Sequence, residues 1–482
     1  MDLPRHPLLF ALFLAVSPAP VPAQEEWVSL FDGKTLAGWK AAEHPDSFSV
    51  VDGLIQGRGP RAHLFYQGAD GKAEFENFEL ELEAKPMPGC NSGVYFHATW
   101  QDTNWPRKSG FEVQINNTQP AFDRTNYTEN KKTGSLYGVR NLYKAMVKDG
   151  EWFTMNILVR KPRVEVRLNG KLMMEYIEPA NQPVLNPGTT MNFLTKGAFA
   201  LQCHDEKSQV YFRNIRVRRL PPGEDAGVVK PVLNAQDLQR AELAKDNFPL
   251  VNLVRVKSPM GLSLGRLQEL RNRTGIFPGI IANFTPEDPV GGDDMARKTM
   301  AGMKDVPAFA GLVLFGLTKR TPLESLAQYD FIMVNLEKVF TGVRAPEQEP
   351  AAMDSWVDSI VRTIETMPID VYANVMMLPG NFQSSADVLW TEQCMQRVCA
   401  AAAKYGVALE INSHLRTPSE QFIKLAKAAG VRFTVGSDGT TVEDYADWSY
   451  ILEMQRKLGL TWRNMWVPGH EPTRAQRELA KQ

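Results

Sequence analysis

The stretch GFEVQINN, Gly110–Asn117, alternates apolar and polar residues. Because successive side chains on a β-strand point to opposite faces, this alternation predicts a strand buried on one face. The polar face carries a carboxylate and two amides: Glu112, Gln114 and Asn116. A plain solvated face alternates in the same way, but it usually carries a mixture of Lys, Glu and Thr. The stretch therefore predicts a β-sheet with a candidate binding face.

The same period of two continues on both sides of this strand. Further examples are FELELEAK (78–85), NSGVYFHATW (91–100), FTMNILVR (153–160), RVEVRLNG (163–170), GAFALQCH (197–204) and VYFRNIRVRRL (210–220). Asn169-Gly170, between two such runs, is a strong two-residue hairpin turn. Many short strands with almost no helical periodicity predict an all-β sandwich or jelly roll over residues 24–220.

The pattern changes after Leu220, where PPGEDAG (Pro221–Gly227) is typical of a linker. Seven apolar runs follow, at 250–256, 277–283, 309–315, 331–335, 371–377, 407–412 and 431–436. Helical periodicity separates several of them, at 354–366, 388–405, 418–429 and 442–458. Apolar strands alternating with helices indicate a parallel sheet, and seven units favour a (β/α) barrel over an open sheet. We therefore predict a multidomain chain with a linker at 221–245, an α/β barrel at 246–470 and a polar tail at 471–482.

The first 23 residues have the pattern of a secretory signal peptide. Arg5 precedes an apolar run, Leu8–Val16, and Val21 and Ala23 occupy the small-residue positions of a cleavage site. The run is too short to cross a bilayer, which needs about 20 residues, and no later segment of that length is free of charges. The sequence thus predicts an exported protein, periplasmic or secreted, with no membrane span.

Composition excludes several classes of function. There are 54 Lys and Arg against 55 Asp and Glu, so the net charge of -1 gives no reason to expect a nucleic-acid partner. Four cysteines are too few for a disulfide scaffold, and none forms a CxxC pair. Neither the disulfide state nor the oligomeric state follows from the sequence.

Polar side chains also occur on other predicted strands of the β domain. Besides the Glu112 row, the candidates are Tyr95, His97, Gln202, His204 and Arg213. Carboxylates and amides pair with neighbouring hydroxyl groups, and aromatic rings cover the apolar face of a sugar. These residue types therefore favour a polyhydroxylated ligand.

Six segments of the β domain together resemble the 3-keto-disaccharide hydrolase family. They are FDGKTLAGWK, NSGVYFHATW, GFEVQINN, KTGSLYGV, GEWFTMNILVRKPRVEVRLNGK and GAFALQCHDEKSQVYFRNIRVRRL, in this order over residues 25–220. The resemblance implies a laminin-G or concanavalin-like jelly roll, usually exported and bacterial. It also implies cleavage of glycosides in which the sugar has been oxidised to a 3-keto form.

The implied chemistry needs a base, an acid and donors for an enolate. A C3 ketone acidifies the proton on C2; once a base removes it, the glycosidic oxygen leaves C1 by β-elimination, with or without rehydration. We expect Glu112 and His204 to be the acid/base pair. The expected sugar-binding residues are Gln114, Asn116, Tyr137, Gln202, Arg213 and His97. The resemblance implies no organic cofactor. Whether a divalent cation is needed stays open; Glu112 and His204 would contribute to its site.

The barrel contains a second resemblance. Gly406–Thr441 resembles the last third of polymerase-and-histidinol-phosphatase domains, seven-strand barrels that hold up to three metals at one mouth. The first-strand His-x-His of that family is missing near Asn252–Ser258. Glu410, His414 and Asp438 remain, which is too few for a two- or three-metal site. We therefore expect a degenerate barrel that acts as a scaffold, a ligand site or an oligomer interface.

Two alternatives to a 3-keto-glycoside-cleaving enzyme stay open at this stage. One is a non-catalytic carbohydrate-binding protein on the same fold, which family membership does not exclude. The other is a metal-dependent phosphoesterase centred on the barrel, which would need a single metal held by Glu410, His414 and Asp438.

Overall fold

The protein is described by a computed structural model that covers residues 26–103, 106, 109–118, 129–183, 190–221, 227–245, 247–255, 264–283, 306–314, 322–336, 346–380, 382–437 and 441–482. The predicted signal peptide, residues 1–23, lies outside these ranges.

The N-terminal part folds into two β-sheets. Its strands in chain order are β1 (Val28–Ser29), β2 (Trp39–Ala42), β3 (Phe48–Val51), β4 (Leu54–Arg58), β5 (Ala62–Tyr66), β6 (Phe78–Pro86), β7 (Asn91–Ala98), β8 (Ser109–Asn116), β9 (Phe153–Arg160), β10 (Arg163–Leu168), β11 (Lys171–Ile177), β12 (Thr190–Met191), β13 (Ala198–Cys203) and β14 (Gln209–Arg219). The larger sheet has the order β11-β10-β9-β6-β14-β4-β3, with β1 paired to β14. The smaller sheet has the order β12-β8-β7-β13-β5-β2.

The two sheets pack through their apolar faces. On β6 and β9, Leu80 and Ile157 are almost fully buried while the residues between the apolar positions are half-buried. Phe111, Val113 and Ile115 of β8 lie in the same apolar cluster. The alternating pattern therefore encodes a jelly-roll-like sandwich, as predicted.

The predicted hairpin turn joins β10 to β11. Asn169 has φ 49° and Gly170 has φ 77°. A turn of type I′ needs positive φ at both central positions, and Asn followed by Gly meets this requirement at least cost. The prediction from the dipeptide is confirmed.

The C-terminal part contains a closed parallel barrel of seven strands within the described ranges. They are β15 (Val251–Arg255), β16 (Phe277–Asn283), β17 (Phe309–Leu314), β18 (Phe331–Val334), β19 (Val371–Tyr372), β20 (Ala408–Asn412) and β21 (Phe433–Ser437). β15 pairs with both β16 and β21, which closes the sheet. The predicted seven-strand β/α barrel is confirmed.

Helices surround and flank the barrel. They are α1 (Ala235–Lys245), α2 (Leu264–Thr274), α3 (Leu323–Leu326), α4 (Glu349–Thr366), α5 (Ala386–Leu389), α6 (Glu392–Tyr405), α7 (Glu420–Ala428), α8 (Val442–Ala446), α9 (Ser449–Leu458) and α10 (Arg474–Leu479). The predicted helical stretch 388–405 is divided between α5 and α6, with the Thr391 side chain capping α6. The stretch 442–458 is divided in the same way between α8 and α9.

Two segments that we predict as linker and tail carry helices. Within 221–245, α1 begins after Asn234, whose side chain accepts from the Asp237 backbone N–H at 2.9 Å while Asp237 accepts from the Asn234 N–H at 3.0 Å. Within 471–482, α10 is held by the Arg474 N–H, which donates to Asp370 at 2.7 Å. Reciprocal capping and a buried contact therefore give structure to segments whose polar composition alone suggests none.

One face of the sheet domain lies against the N-terminal end of the barrel. Tyr143 is almost fully buried, and its hydroxyl accepts from the Leu250 N–H at 3.0 Å. Its ring is 5.9 Å from that of Phe277, the first residue of β16. An apolar cluster continues from the sheet domain through Tyr143 into the barrel interior.

Two further findings concern the chain as described. No helix in the described part is long and apolar enough to cross a membrane. All four cysteines are buried and free.

Candidate active site

Glu112 lies on β8, the second strand from one edge of the smaller sheet, on the face opposite the apolar core. It is 7% exposed and is paired across the strands with Tyr95 of β7. The Tyr95 hydroxyl donates to Glu112 Oε2 at 2.7 Å and accepts from Gln202 Nε2 at 2.9 Å. Gln202 lies on β13, the next strand, so three neighbouring strands converge on one carboxylate.

A glycine makes room for this carboxylate. An added Cβ at Gly93 would lie 2.5 Å from Glu112 Oε1, closer than a carbon can approach. Residue 93, which lies two positions before Tyr95 and on the same face of β7, must therefore be a glycine if Glu112 is to lie across this strand.

Burial gives Glu112 an unusual pKa. Loss of solvation raises the pKa of its carboxyl group to about 7, although the Tyr95 hydroxyl and the charges of His204 and Lys131 lower it and the charge of Glu129 raises it. A carboxyl group that titrates near neutral pH can both take up and release a proton under physiological conditions. His204, the predicted partner of Glu112, is thus one of the groups whose charge acts on this carboxyl group.

His204 follows β13 and is oriented by its neighbour. Its Nδ1 hydrogen-bonds to Asp205 Oδ2 at 2.9 Å. Asp205 Oδ1 in turn accepts from the Lys207 and Ser208 N–H groups at 3.0 and 3.1 Å. Burial raises the pKa of Asp205, but the hydrogen bonds from His204, Ser208 and Lys207 lower it more. The net pKa lies below the ordinary value, so the carboxylate stays charged. A fixed carboxylate on Nδ1 makes Nε2 the nitrogen that would exchange protons with a ligand.

The segment that begins at Glu129 lies next to Glu112. Tyr137, predicted to bind sugar, donates through its hydroxyl to Glu129 Oε2 at 2.9 Å, and its N–H donates to the Glu112 carbonyl at 2.9 Å. Lys131 forms an ion pair with Glu129 at 3.4 Å, and its Nζ lies 4.2 Å from the centre of the Tyr137 ring. Both charged side chains are almost completely buried.

The two predicted amides of β8 are used differently. Asn116 donates through Nδ2 to the carbonyls of Glu129 and Lys131, both at 3.1 Å, so it anchors that segment. Gln114 is buried, and its Oε1 accepts from the Ile115 N–H at 3.0 Å. Gln202 Oε1 is buried without a hydrogen-bond partner in the described part of the chain, which leaves an acceptor on this face.

His97 does not lie on the binding face, so its prediction as a sugar-binding residue is corrected. Its φ of 53° interrupts the alternation of β7, and its Nε2 hydrogen-bonds to the Glu76 carbonyl at 2.9 Å. Its ring lies 5.7 Å from that of Phe78 in the core, and burial lowers its pKa to about 4. As a result Ala98, and not His97, shares an apolar cluster with Tyr95.

Arg213 belongs to the other sheet, which corrects its prediction as well. It lies on β14, where Phe212 faces the core and Arg213 faces outward. Its Nε donates to Glu83 Oε2 at 2.7 Å, and its guanidinium stacks 4.1 Å above the Trp152 ring. Alternation placed it correctly on a polar face, but of the wrong sheet.

Sequence reasoning missed three charged or titratable residues of the site. His63 on β5 is fully buried, pairs with Gln202 across the strands, and has its Nδ1 3.3 Å from Glu43. Burial lowers the pKa of His63, with Glu43 raising it and Arg61 and His204 lowering it. The other two are Glu129 and Lys131. The available signal was their position beside KTGSLYGV and, for His63, the scarcity of histidine.

The barrel residues do not form a comparable cluster. Glu410 is buried and accepts from the Asn374 N–H at 3.2 Å. His414 is 46% exposed at its side chain and lies 3.4 Å from Asp444. Asp438 lies outside the described residues. In the described part of the chain, no group of three or more His, Cys, Asp or Glu is placed to hold a metal.

Comparisons with known proteins bear on the N-terminal part. Residues 26–218 match the model of a family described as 3-keto-alpha-glucoside-1,2-lyase-like domain, which confirms the family resemblance predicted for residues 25–220. A curated 3-keto-disaccharide hydrolase from Bacteroides thetaiotaomicron is 30% identical over 177 residues, which are 33% of this chain and 60% of that protein. The chain thus spans about 60% of the length of this relative.

Two solved structures are also similar. A provisionally assigned glycosyl hydrolase from Parabacteroides distasonis is 25% identical, covers 40% of this chain and 94% of its own, and has a TM-score of 0.35. A histidinol phosphate phosphatase from Lactococcus lactis is 16% identical, covers 44% of this chain and 92% of its own, and has a TM-score of 0.32.

Proposed function

We propose that the β domain cleaves 3-keto-glycosides, including 3-keto-disaccharides, by general acid/base chemistry centred on Glu112. The observation that carries the proposal is a buried carboxyl group with a pKa of about 7, which accepts from the Tyr95 hydroxyl while that hydroxyl accepts from the Gln202 amide. The family match over residues 26–218 and the relative named 3-keto-disaccharide hydrolase support the same substrate class. A pKa near the working pH suits a group that must take up a proton in one step and release it in the next.

The first step removes the C2 proton. The C3 ketone acidifies this proton, Glu112 accepts it, and the C2–H electron pair becomes an enolate on the C3 oxygen. We assign stabilisation of the enolate to the second N–H of the Gln202 amide and to the positive charge of Lys131, because the Tyr137 hydroxyl already donates its one proton to Glu129. Such preorganised donors act most strongly where water is excluded.

The second step breaks the glycosidic bond. The enolate electrons form the C1–C2 double bond, the C1–O bond breaks, and the leaving oxygen takes a proton from His204 Nε2. The Asp205 carboxylate on Nδ1 stabilises the imidazolium that donates this proton. The products are an enone and the free aglycone or second sugar.

Hydration completes a hydrolysis. Water adds across the enone, its hydroxyl to C1 and its proton to C2, with His204 now acting as base and Glu112 as acid. Release of the enone before this step would make the same site a lyase. Gln114 and Gln202 are the amides that we propose to bind the sugar hydroxyl groups.

The test compares a glycoside with its oxidised form. The purified chain is incubated with 4-nitrophenyl glucosides of both anomers and with their 3-keto derivatives. Release of nitrophenol from a 3-keto form only, lost in Glu112→Gln and His204→Ala and kept in Glu151→Gln, supports the proposal; Glu151 is a well-exposed carboxylate. Turnover at the wild-type rate in both site variants would overturn it. Binding without turnover would instead favour a non-catalytic carbohydrate-binding protein.

We also propose that the chain is exported after cleavage at Ala23, with the β domain (24–220) as its catalytic unit and the barrel (246–470) as a non-catalytic one. The support is the signal-peptide pattern of residues 1–23 and the missing barrel histidines. N-terminal sequencing of the protein from a periplasmic fraction tests export, and an unprocessed cytoplasmic product would contradict it.

A further inference from the structure

The segment 129–144 lies between the candidate active site and the barrel. On one side it carries Glu129 and Lys131, whose charges act on Glu112, and Tyr137, whose N–H donates to the Glu112 carbonyl. On the other side it contacts the N-terminal end of the barrel, where Asn130 Nδ2 donates to the Asn247 carbonyl at 2.9 Å. Barrel and active site thus share one short piece of chain.

Several contacts hold this segment against the barrel. Arg140 donates to the carbonyls of Asn272 and Arg273, at 2.7 and 3.0 Å, in the last turn of α2. A guanidinium suits these carbonyls, because helix C-termini leave acceptors unpaired and carry partial negative charge. Lys144 Nζ donates to Asp330 Oδ2 at 2.7 Å.

One contact reaches the site itself. Lys131 Nζ donates to Asn247 Oδ1 as well as pairing with Glu129. The Lys131 side chain is completely buried, so its charge depends on the acceptors around it, of which Glu129 and Asn247 are two. One of these acceptors comes from the barrel part of the chain, just before β15.

We propose that Asn247 is a positioning residue of the active site, which holds the Lys131 ammonium at its place beside Glu129, Tyr137 and Glu112. The barrel part of the chain then contributes the acceptor that holds a charged side chain of the active site in the other domain. The predicted loss of activity rests on the proposed function, whereas the predicted effect on Lys131 and on the pKa of Glu112 does not.

The local backbone favours asparagine at this position. Asn247 has φ 64°, a left-handed conformation that Asn, Asp and Gly adopt at low cost. Asn247→Gly therefore removes the side-chain acceptor and keeps the backbone carbonyl that binds Asn130. Asn247→Asp keeps an acceptor for Lys131 and serves as the rescue variant.

The consequence for Glu112 has a defined sign. The charged or titratable groups that face Glu112 are, from the elements packed around it, Tyr95, His204, Glu129, Lys131 and Tyr137. Of these, Lys131 lowers the pKa of Glu112. Loss of the Asn247 acceptor disfavours the buried ammonium at its position, so the pKa of Glu112 should rise.

The experiment compares Asn247→Gly, Asn247→Asp and a matched interface variant, Lys144→Met. Lys144→Met breaks the Asp330 contact on the same segment without touching Lys131. We expect Asn247→Gly to lower kcat for a 3-keto-glucoside about 10- to 100-fold, with a smaller change in KM, because a misplacement of about 1 Å can cost up to about 100-fold in rate. Asn247→Asp should restore kcat, and Lys144→Met should lower only the unfolding temperature.

A second readout does not depend on activity. Infrared difference spectroscopy follows protonation of Glu112, identified by the band that disappears in Glu112→Gln. The midpoint should move to higher pH in Asn247→Gly and stay at the wild-type value in Lys144→Met. If both variants keep the wild-type midpoint, the inference is wrong. If the wild type turns over no 3-keto-glycoside, the proposed function fails while the titration still decides the role of Asn247.

Discussion

The Glu112 carboxylate lies across Gly93 on the neighbouring strand, at the position that any side chain at residue 93 would occupy. An added Cβ would come within 2.5 Å of Oε1 and 3.0 Å of Cγ. The Tyr95 hydroxyl, two residues further along β7, then fixes the other carboxylate oxygen at 2.7 Å. The orientation of Glu112 therefore depends on two residues: Gly93, which has no side chain in its way, and Tyr95, which donates a hydrogen bond to it.

Gly93→Ala should impair activity more than stability. The methyl group displaces the mobile end of Glu112 and not backbone, so the fold should tolerate it while the carboxylate loses its place. We expect kcat/KM for a 3-keto-glucoside to fall about 10- to 100-fold, with a small change in unfolding temperature. Gly265→Ala is the control, since a Cβ there meets nothing within 4 Å. Equal activity of the two variants would argue against the role of Gly93.

Glu112→Gln should gain stability relative to the wild type as the pH rises. The folded-state pKa of about 7 lies above the unfolded value of 4.5, so Glu112 contributes stability below pH 4.5 that is lost as the pH passes 7. The difference in unfolding free energy between variant and wild type should change by about 3 kcal/mol, since one pKa unit is worth about 1.4 kcal/mol. Urea unfolding at pH 4.5 and 7.5 measures it; a pH-independent difference would show that Glu112 is not perturbed.

The pH dependence of activity should have an acid limb near neutrality. As a base, Glu112 works in its deprotonated form, so kcat/KM should rise with pH from 5 through about 7. Initial rates with a 3-keto-glucoside between pH 5 and 9 test this. A rate that falls between pH 5 and 7 would mean that the protonated carboxyl group is the required form.

Gln202 and Arg213 should respond differently to the same substitution. Gln202→Ala removes the donor to the Tyr95 hydroxyl and an amide on the binding face, so kcat/KM should fall about 10-fold, the loss expected when about 1.4 kcal/mol of transition-state interaction is removed. Arg213→Ala removes an ion pair on the other sheet, so activity should stay at the wild-type value. Steady-state kinetics of the two variants decide; a large loss in Arg213→Ala would reinstate it as a sugar-binding residue.

Most of the fold follows from local patterns. The period of two predicts the strands of the sandwich. Each of the seven apolar runs overlaps one of the strands β15 to β21, although the run 371–377 forms a strand only over Val371–Tyr372. The same alternation fails at His97, where a left-handed residue interrupts the strand and exchanges the faces. The alternation of apolar and polar residues does not predict such an irregular residue within a strand.

The site was predictable in most of its strand residues and in His204 and Tyr137, but not in Glu129, Lys131 or His63. Glu112, Gln202 and the nearby His204 follow from alternation and residue type. Lys131 and Asn247 are separated by 116 residues, and their contact depends on how the barrel lies against the sheet domain. Alternation also cannot distinguish the polar face of one sheet from that of the other, which is why Arg213 was misplaced.

The central claim is that Glu112 removes the C2 proton of a 3-keto-glycoside, and a C2-deuterated substrate tests it most directly. With 4-nitrophenyl 3-keto-glucoside deuterated at C2, the wild type should release nitrophenol more slowly than with the protiated substrate. Glu112→Gln should release nitrophenol from neither substrate at a measurable rate. Equal rates of the wild type with the two substrates would contradict the account.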